Sequence, residues 1–239
     1  MEYVSADVKL KAPFNLLISG ENFRLVIFFS YLIVFFFAGC TNSGKSTLCF
    51  KLIYYRDEII DVKFEKIFYC LPPNHRIFIP NVIQNDESFS VINEIPDLQT
   101  LKTFSGHKLL ILDDMMCQLD GEILNLFIRH GHHLNISLCI LVQNLFYNGN
   151  KFFRSISLQC NYIILCKNPR NAQQVTILAS QISPGNTKYI QEAYFDATKK
   201  PYGYLFFDLS QQCSDDLRTP TNIFPSDYPN NIIYLPIPK

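Results

Sequence analysis

The stretch "ENFRLVIFFSYLIVFFFAGCTNSGKST" (Glu21–Thr47) decides how the chain is read, because it joins a run of bulky apolar residues to a glycine-rich loop. Its second half, "GCTNSGKST" (Gly39–Thr47), fits the G-x-x-x-x-G-K-[ST] phosphate loop. In such a loop Gly39 and Gly44 let the backbone N–H groups of Cys40, Thr41, Asn42 and Ser43 curl around an anion. Lys45 reaches the β- and γ-phosphates, Ser46 offers its hydroxyl to Mg²⁺, and Thr47 follows in the first helical turn. The helix beginning near Lys45 turns its positive dipole end toward the ligand. The loop follows a strand-like run and opens a helical pattern, "KSTLCFKLIYYRDEI", as this chemistry requires. The site is therefore expected to take ATP and Mg²⁺.

Length and composition agree with one α/β domain. The 239 residues are 48% hydrophobic, enough for a sizeable core, and the formal net charge is zero. No global positive field announces nucleic acid, so any such contact depends on local patches. The eight cysteines are scattered without a C-x-x-C pair, which reads as a reducing compartment rather than a disulfide framework. The polar, acidic "MEYVSADVKLKAP" preceding the apolar run does not read as a signal peptide.

Short apolar runs alternate with helical patterns, which predicts an α/β fold with a mostly parallel sheet flanked by helices, and with the phosphate loop of Gly39–Thr47 this reads as a P-loop NTPase fold. Strands are expected at Lys66–Pro72, His107–Asp114, Ile136–Gln143, Asn161–Lys167 and "YGYLFFDLS". "DGEILNLFIRHG" (Asp120–Gly131), "NAQQVTILASQ" and "NTKYIQEAYFDATKK" read as helices. Residues 1–210 form the ATPase domain in this reading. The Pro-rich residues 211–239 form an extended arm lying on the domain or on a neighbour.

The strand "KLLILDD" carries paired carboxylates to the edge of the sheet. There Asp113 can hold Mg²⁺ through its water shell, and Asp114 can orient and deprotonate the attacking water. The next apolar strand ends in Gln143, where a polar sensor would touch the γ-phosphate or the water. This order of glycine loop, acidic pair and polar strand end is found where an extra strand separates the loop strand from the acidic strand. No N-K-x-D guanine-reading motif is present, which disfavours a GTPase.

The segments "LLILDDMM", "HHLNISLCILVQNLF" and "KFFRSISLQCNYIILCKNPRNAQQ" resemble the poxvirus-type genome-packaging ATPases of the FtsK/HerA superfamily, including versions carried by adenovirus-like and Maverick/Polinton elements. The resemblance runs from about Pro13 to about Pro225. It implies that Gly39, Gly44, Lys45, Ser46 and Thr47 bind nucleotide and Mg²⁺, that Asp113 and Asp114 are the metal and catalytic acids, and that Gln143 is the sensor. It also implies ATP-driven translocation of double-stranded DNA into a capsid by a homo-oligomeric ring, with a capsid or portal protein as partner, at a virion assembly site or in a host nucleus.

Ring translocases usually complete each site with a neighbour's arginine. Arg154 and Arg170 follow the sensor strand and the next one, and rank equally; Arg129 sits at a helix end, where capping is the simpler explanation. The cluster His130, His132 and His133 lacks paired cysteines at ligand spacing, so a turn is the better reading than zinc. The basic, aromatic "LFYNGNKFFR" (Leu145–Arg154), with Lys151, is the best DNA-facing segment, against the alternative of a packed loop.

Leu25–Ala38 carries no charge but falls short of the about 20 residues a spanning helix needs, so no stable membrane insertion is expected. The run suits a buried strand, "YLIVFFFAG". Yet "PFNLLISG" (Pro13–Gly20) is what the family places before its loop, and removing Glu21–Gly39 yields the uninterrupted "PFNLLISGCTNSGKST". Gly20-Glu21 can be encoded with a splice donor, and Phe35–Gly39 with a pyrimidine-rich acceptor. Residues 21–39 thus read as a short retained intron of whole codons. An inert domesticated copy of the ATPase and a P-loop small-molecule kinase stay open as rival functions. The kinase would need an Arg-rich lid and a substrate acid, neither of which is clear.

Overall fold

The computed structural model describes residues 2–5, 34–121, 123, 131, 133–147 and 151–236. Its centre is a seven-stranded sheet with the order β4-β3-β5-β6-β2-β7-β8. The strands are β2 (Val34–Ala38), β3 (Phe64–Cys70), β4 (Phe89–Ile92), β5 (His107–Asp113), β6 (Ile136–Val142), β7 (Tyr162–Cys166) and β8 (Tyr204–Asp208). All neighbours pair in parallel except β8, which returns antiparallel along β7. β6 lies between the loop strand β2 and the acidic strand β5, the inserted strand that the motif order implied.

The sequence "VFFFA" suits its interior slot between β6 and β7, because every one of its residues is buried and the pleat sends alternate side chains to opposite faces. Phe35 and Phe37 join the core that also holds Leu48, Leu52 and Ile53 of α1 (Lys45–Tyr54). Val34, Phe36 and Ala38 join the other core, with Phe153, Val175, Leu178 and Tyr194. Phe35 stacks on Tyr162 with centroids 5.0 Å apart, and Phe36 meets Phe153 edge-on at 5.5 Å. Each buried phenylalanine contributes about 1.5–3 kcal/mol. Pro13–Gly20, the competing segment for this slot, lies outside the described residues, so the retained-intron reading stays a statement about the transcript.

The second core face is covered by α5 (Lys151–Ser157), α6 (Gln173–Ile182) and α7 (Thr187–Ala197), with α4 (Leu98–Lys102) beside β5; the short α2 (Arg56–Ile59) and α3 (Asn81–Gln84) lie with α1. Asp97 caps α4 by accepting from the Thr100 N–H at 2.8 Å. Of the helix expected over Asp120–Gly131, residues 122 and 124–130 lie outside the described residues.

The carboxyl-terminal segment lies on the domain. β9 (Pro220–Thr221) and β10 (Ile232–Leu235) form a three-stranded antiparallel sheet with β1 (Glu2–Ser5). Phe224 is fully buried between this segment and α1, with Lys51 Nζ 5.2 Å from its ring centroid, and Tyr234 donates to Asp196 at 2.9 Å. Among the described residues no helix is long and apolar enough to cross a membrane.

Candidate nucleotide-binding site

Parallel register brings the functional segments to one edge. Ala38 pairs with Val142 and Leu165, and Asp113 pairs with Leu141, so β2, β5, β6 and β7 end side by side. The glycine loop, the acidic pair, Gln143 and the turn Lys167–Arg170 all leave the sheet there, although they are far apart in sequence.

The loop starts at Gly39, whose N–H donates to Val142 O at 3.1 Å. A Cβ at Gly39 would lie 2.6 Å from Ser43 Oγ and 2.8 Å from Cys166 Cβ, so only glycine fits. Cys40 donates its thiol to Lys167 O at 3.6 Å, tying the loop to the end of β7. Thr41 and Asn42 form the exposed tip, Asn42 with φ 61°, and Ser43 is buried beneath it. Gly44 adopts φ 91° at the start of α1, a left-handed conformation costly for a side chain.

No side chain caps α1, which leaves its first-turn N–H groups for an anion. Thr47 is exposed on that first turn. Lys45 folds back over the loop and donates to Gly39 O at 2.7 Å and Cys40 O at 2.8 Å. Burial pushes its ammonium below the usual 10.5, opposed by nearby acidic groups including Cys166, Asp113 and Asp114.

Asp113 is buried at the end of β5, and its Oδ2 accepts from Ser46 Oγ at 3.2 Å and from Tyr69 OH at 2.6 Å. Mg²⁺ suits this pair, since an alcohol and a carboxylate are hard oxygen donors and the ion takes its remaining ligands from water and phosphate. The uncapped helix and the glycine cradle suit a polyphosphate in the same way. Among the described residues no group of three or more His, Cys, Asp or Glu could hold a metal ion; His130 and His132 lie outside them.

Asp114 is exposed, with φ 57°, and its N–H donates to Leu141 O at 3.3 Å. Aspartate tolerates this left-handed conformation better than most residues do. Gln143 is exposed immediately past β6. Arg170 is exposed in the turn beyond β7, on this edge. Arg154 is also exposed but lies in the last turn of α5, beside Tyr147, Leu158 and Gln181 in a separate cleft. Neither arginine forms an ion pair among the described residues. Arg129 and Asn148–Asn150 lie outside the described residues.

Sequence reasoning passed over two residues. In sequence Tyr69 is part of an apolar strand, yet its register partner Ile111 lies two residues before Asp113 on the neighbouring strand. Burial drives its phenol far above the usual range, with Cys49 and Asp113 adding to the shift, so it stays a donor. Gln174, buried in α6, accepts from the Leu145 N–H at 3.0 Å and so holds the loop after Gln143. Hydrophobic periodicity signals neither role.

No protein-family model matches the chain, and no curated protein does. Solved structures to which the chain is similar include the genome packaging NTPase B204 from Sulfolobus turreted icosahedral virus 2 in complex with AMP. It is 14% identical, with 76% of this chain and 95% of that chain covered and a TM-score of 0.47. The DNA-packaging ATPase B204 from Sulfolobus turreted icosahedral virus is 16% identical, over 76% and 94% of the two chains, with a TM-score of 0.47. The cytoplasmic domain of EssC is 14% identical, over 87% of this chain and 40% of that chain, with a TM-score of 0.44.

Proposed function

We propose that the protein is an ATP hydrolase that drives double-stranded DNA into a capsid as a homo-oligomeric ring. The observation that carries the nucleotide part is the meeting of Ser46, Tyr69 and Asp113 beside an uncapped, glycine-started helix. The translocation part rests on the sequence resemblance of the acidic, sensor and "KNPR" segments to packaging ATPases.

The loop N–H groups and Lys45 bind the β- and γ-phosphates; to do so, Lys45 exchanges its bonds to Gly39 O and Cys40 O for phosphate oxygens. Mg²⁺, held by Ser46 and Asp113, would neutralise charge on the transferred group. Asp114 takes a proton from a water as its oxygen attacks the γ-phosphorus, the bond to the β-phosphate bridging oxygen breaks, and ADP leaves. Gln143 orients that water, and an arginine from the adjoining subunit stabilises the developing charge.

The test is ATP hydrolysis with and without double-stranded DNA, alongside assays for phosphorylation of added small-molecule acceptors. DNA-stimulated hydrolysis is the expected result. Acceptor phosphorylation without DNA response would favour a kinase, and no nucleotide binding would favour an inert copy.

A further inference from the structure

We infer that the cleft beside Tyr202 is the subsite for the base of the nucleotide, with the Tyr202 ring as its stacking surface; this rests on the reading of the loop as a nucleotide site. Between α7 and β8 the chain makes a tight turn through "TKKPYG" (Thr198–Gly203), closed by Gly203 N donating to Lys200 O at 3.2 Å. The turn holds Tyr202 at φ 61°, an unusual conformation for a bulky residue, with 67% of its surface exposed. The core gains nothing from a ring placed this way. What the turn achieves is position: a Cβ on Gly44 would lie 3.3 Å from Tyr202 Cδ1, so the ring stands against the glycine that begins α1.

A cleft of about 680 Å³ opens there, bounded by Gly44, Thr47 and Lys51 of the phosphate helix, by Tyr202, and by Asn222 and Asp227 of the carboxyl-terminal segment. Its size is that of a small-molecule site, about 300–1,000 Å³. A nucleotide whose phosphates lie in the loop must send its sugar and base past Thr47, and this cleft begins at that residue. Its far wall does not repel an anion, because Asp227 is paired with Lys51 at 2.9 Å and accepts from Tyr204 at 3.4 Å. Asn222 commits its Nδ2 to Asn230 O at 2.8 Å, which leaves its Oδ1 as the acceptor for a donor such as an exocyclic amine. An aromatic face and a polar wall, with Asp227 and Asp196 paired to Lys51 and Lys199, together suit a base.

The experiment compares equilibrium binding of Mg-ATP and of Mg-tripolyphosphate to the full chain and to its Tyr202→Ala and Tyr202→Phe variants. Loss of stacking predicts that Tyr202→Ala weakens ATP roughly 5- to 100-fold and leaves tripolyphosphate within about twofold, with Tyr202→Phe close to the parent. The chain has no tryptophan, so Tyr202→Trp adds a unique fluorophore. Its emission is expected to be quenched by ATP and not by tripolyphosphate. Equal weakening of both ligands by Tyr202→Ala, or no weakening of either, overturns the base subsite while the phosphate site stands. A parent chain that binds neither ligand overturns the nucleotide reading, and the base subsite with it.

Discussion

Tyr69 and Asp113 are joined across adjacent strands by a 2.6 Å hydrogen bond from the phenol to Oδ2, the oxygen that also receives the Ser46 hydroxyl. The carboxylate is thereby oriented from two sides, one of them deep in the core, where Tyr69 stacks on Phe50 at 5.3 Å. Groups that orient a metal-binding carboxylate typically change metal affinity about 10- to 100-fold when removed. Tyr69→Phe keeps the ring and deletes the donor. It is expected to raise the Mg²⁺ concentration needed for half-maximal hydrolysis by about that factor and to lower folding stability by about 1.5–3 kcal/mol. Unchanged Mg²⁺ dependence and an unchanged urea midpoint would show that the bond is incidental.

Asp114 occupies a left-handed conformation that asparagine shares more easily than alanine does. Asp114→Asn is expected to keep Mg-ATP binding and lower turnover about 10²- to 10⁴-fold, since the water loses its base. Asp114→Ala should add a stability loss of about 1–2 kcal/mol from backbone strain. Turnover at the parent rate in Asp114→Asn would remove this residue from the chemistry.

Lys45 has a folded-state pKa below the usual 10.5, chiefly through burial. The unfolded chain therefore holds this proton more tightly, and ligand-free stability from this group rises as pH increases through the window between the lowered value and 10.5. Phosphate binding needs the charged form, so ATP affinity is expected to fall over the same alkaline window. Lys45→Arg, charged throughout, should flatten that fall even if its overall affinity is lower. A parallel alkaline fall in both proteins would assign the effect to other groups. Lys45→Ala should weaken triphosphate binding at every pH.

Arg170 lies on the edge where the phosphate loop emerges, and Arg154 lies in a helix beside a different cleft. If either acts on a neighbouring subunit, its Ala variant should lose on the order of 10³-fold in turnover. Mixing that variant with Asp114→Asn should then restore part of the activity at mixed interfaces. The position of Arg170 makes it the stronger expectation. Assembled mixed rings without recovery would confine both arginines to their own subunit.

A chain lacking Glu21–Gly39 must fill the slot of Val34–Ala38 with Asn15–Ser19 and use Gly20 as the first loop glycine. If residues 21–39 are a retained intron, this shorter chain is expected to be more soluble and to bind ATP at least as tightly, and cDNA sequencing should find the segment missing. A transcript that keeps it, with better hydrolysis in the full chain, would make the apolar run a true loop strand.

The conformation of the loop was legible in the sequence because its demands are local. Gly39 and Gly44 stand where a side chain would clash or strain, Lys45 and Ser46 open the helix, and an apolar strand carries Asp113 and Asp114 to its end. The strand between β2 and β5 followed from the same motifs, since an acidic pair and a polar strand end in that order imply a strand between. The edge strand Phe89–Ile92 was not legible, being too short to show a period, and neither was the pairing of Glu2–Ser5 with Ile232–Leu235 across the whole chain length. Two apolar runs, Pro13–Gly20 and Tyr31–Gly39, satisfied the same local pattern. In this chain Val34–Ala38 holds the slot, buried on both faces of the parallel sheet. Tyr69 and Tyr202 show the same division: in sequence each is one more aromatic residue. Only strand register sets one phenol on Asp113, and only the closure of a turn against α1 sets the other ring on Gly44, because both positions come from contacts between segments far apart in the chain.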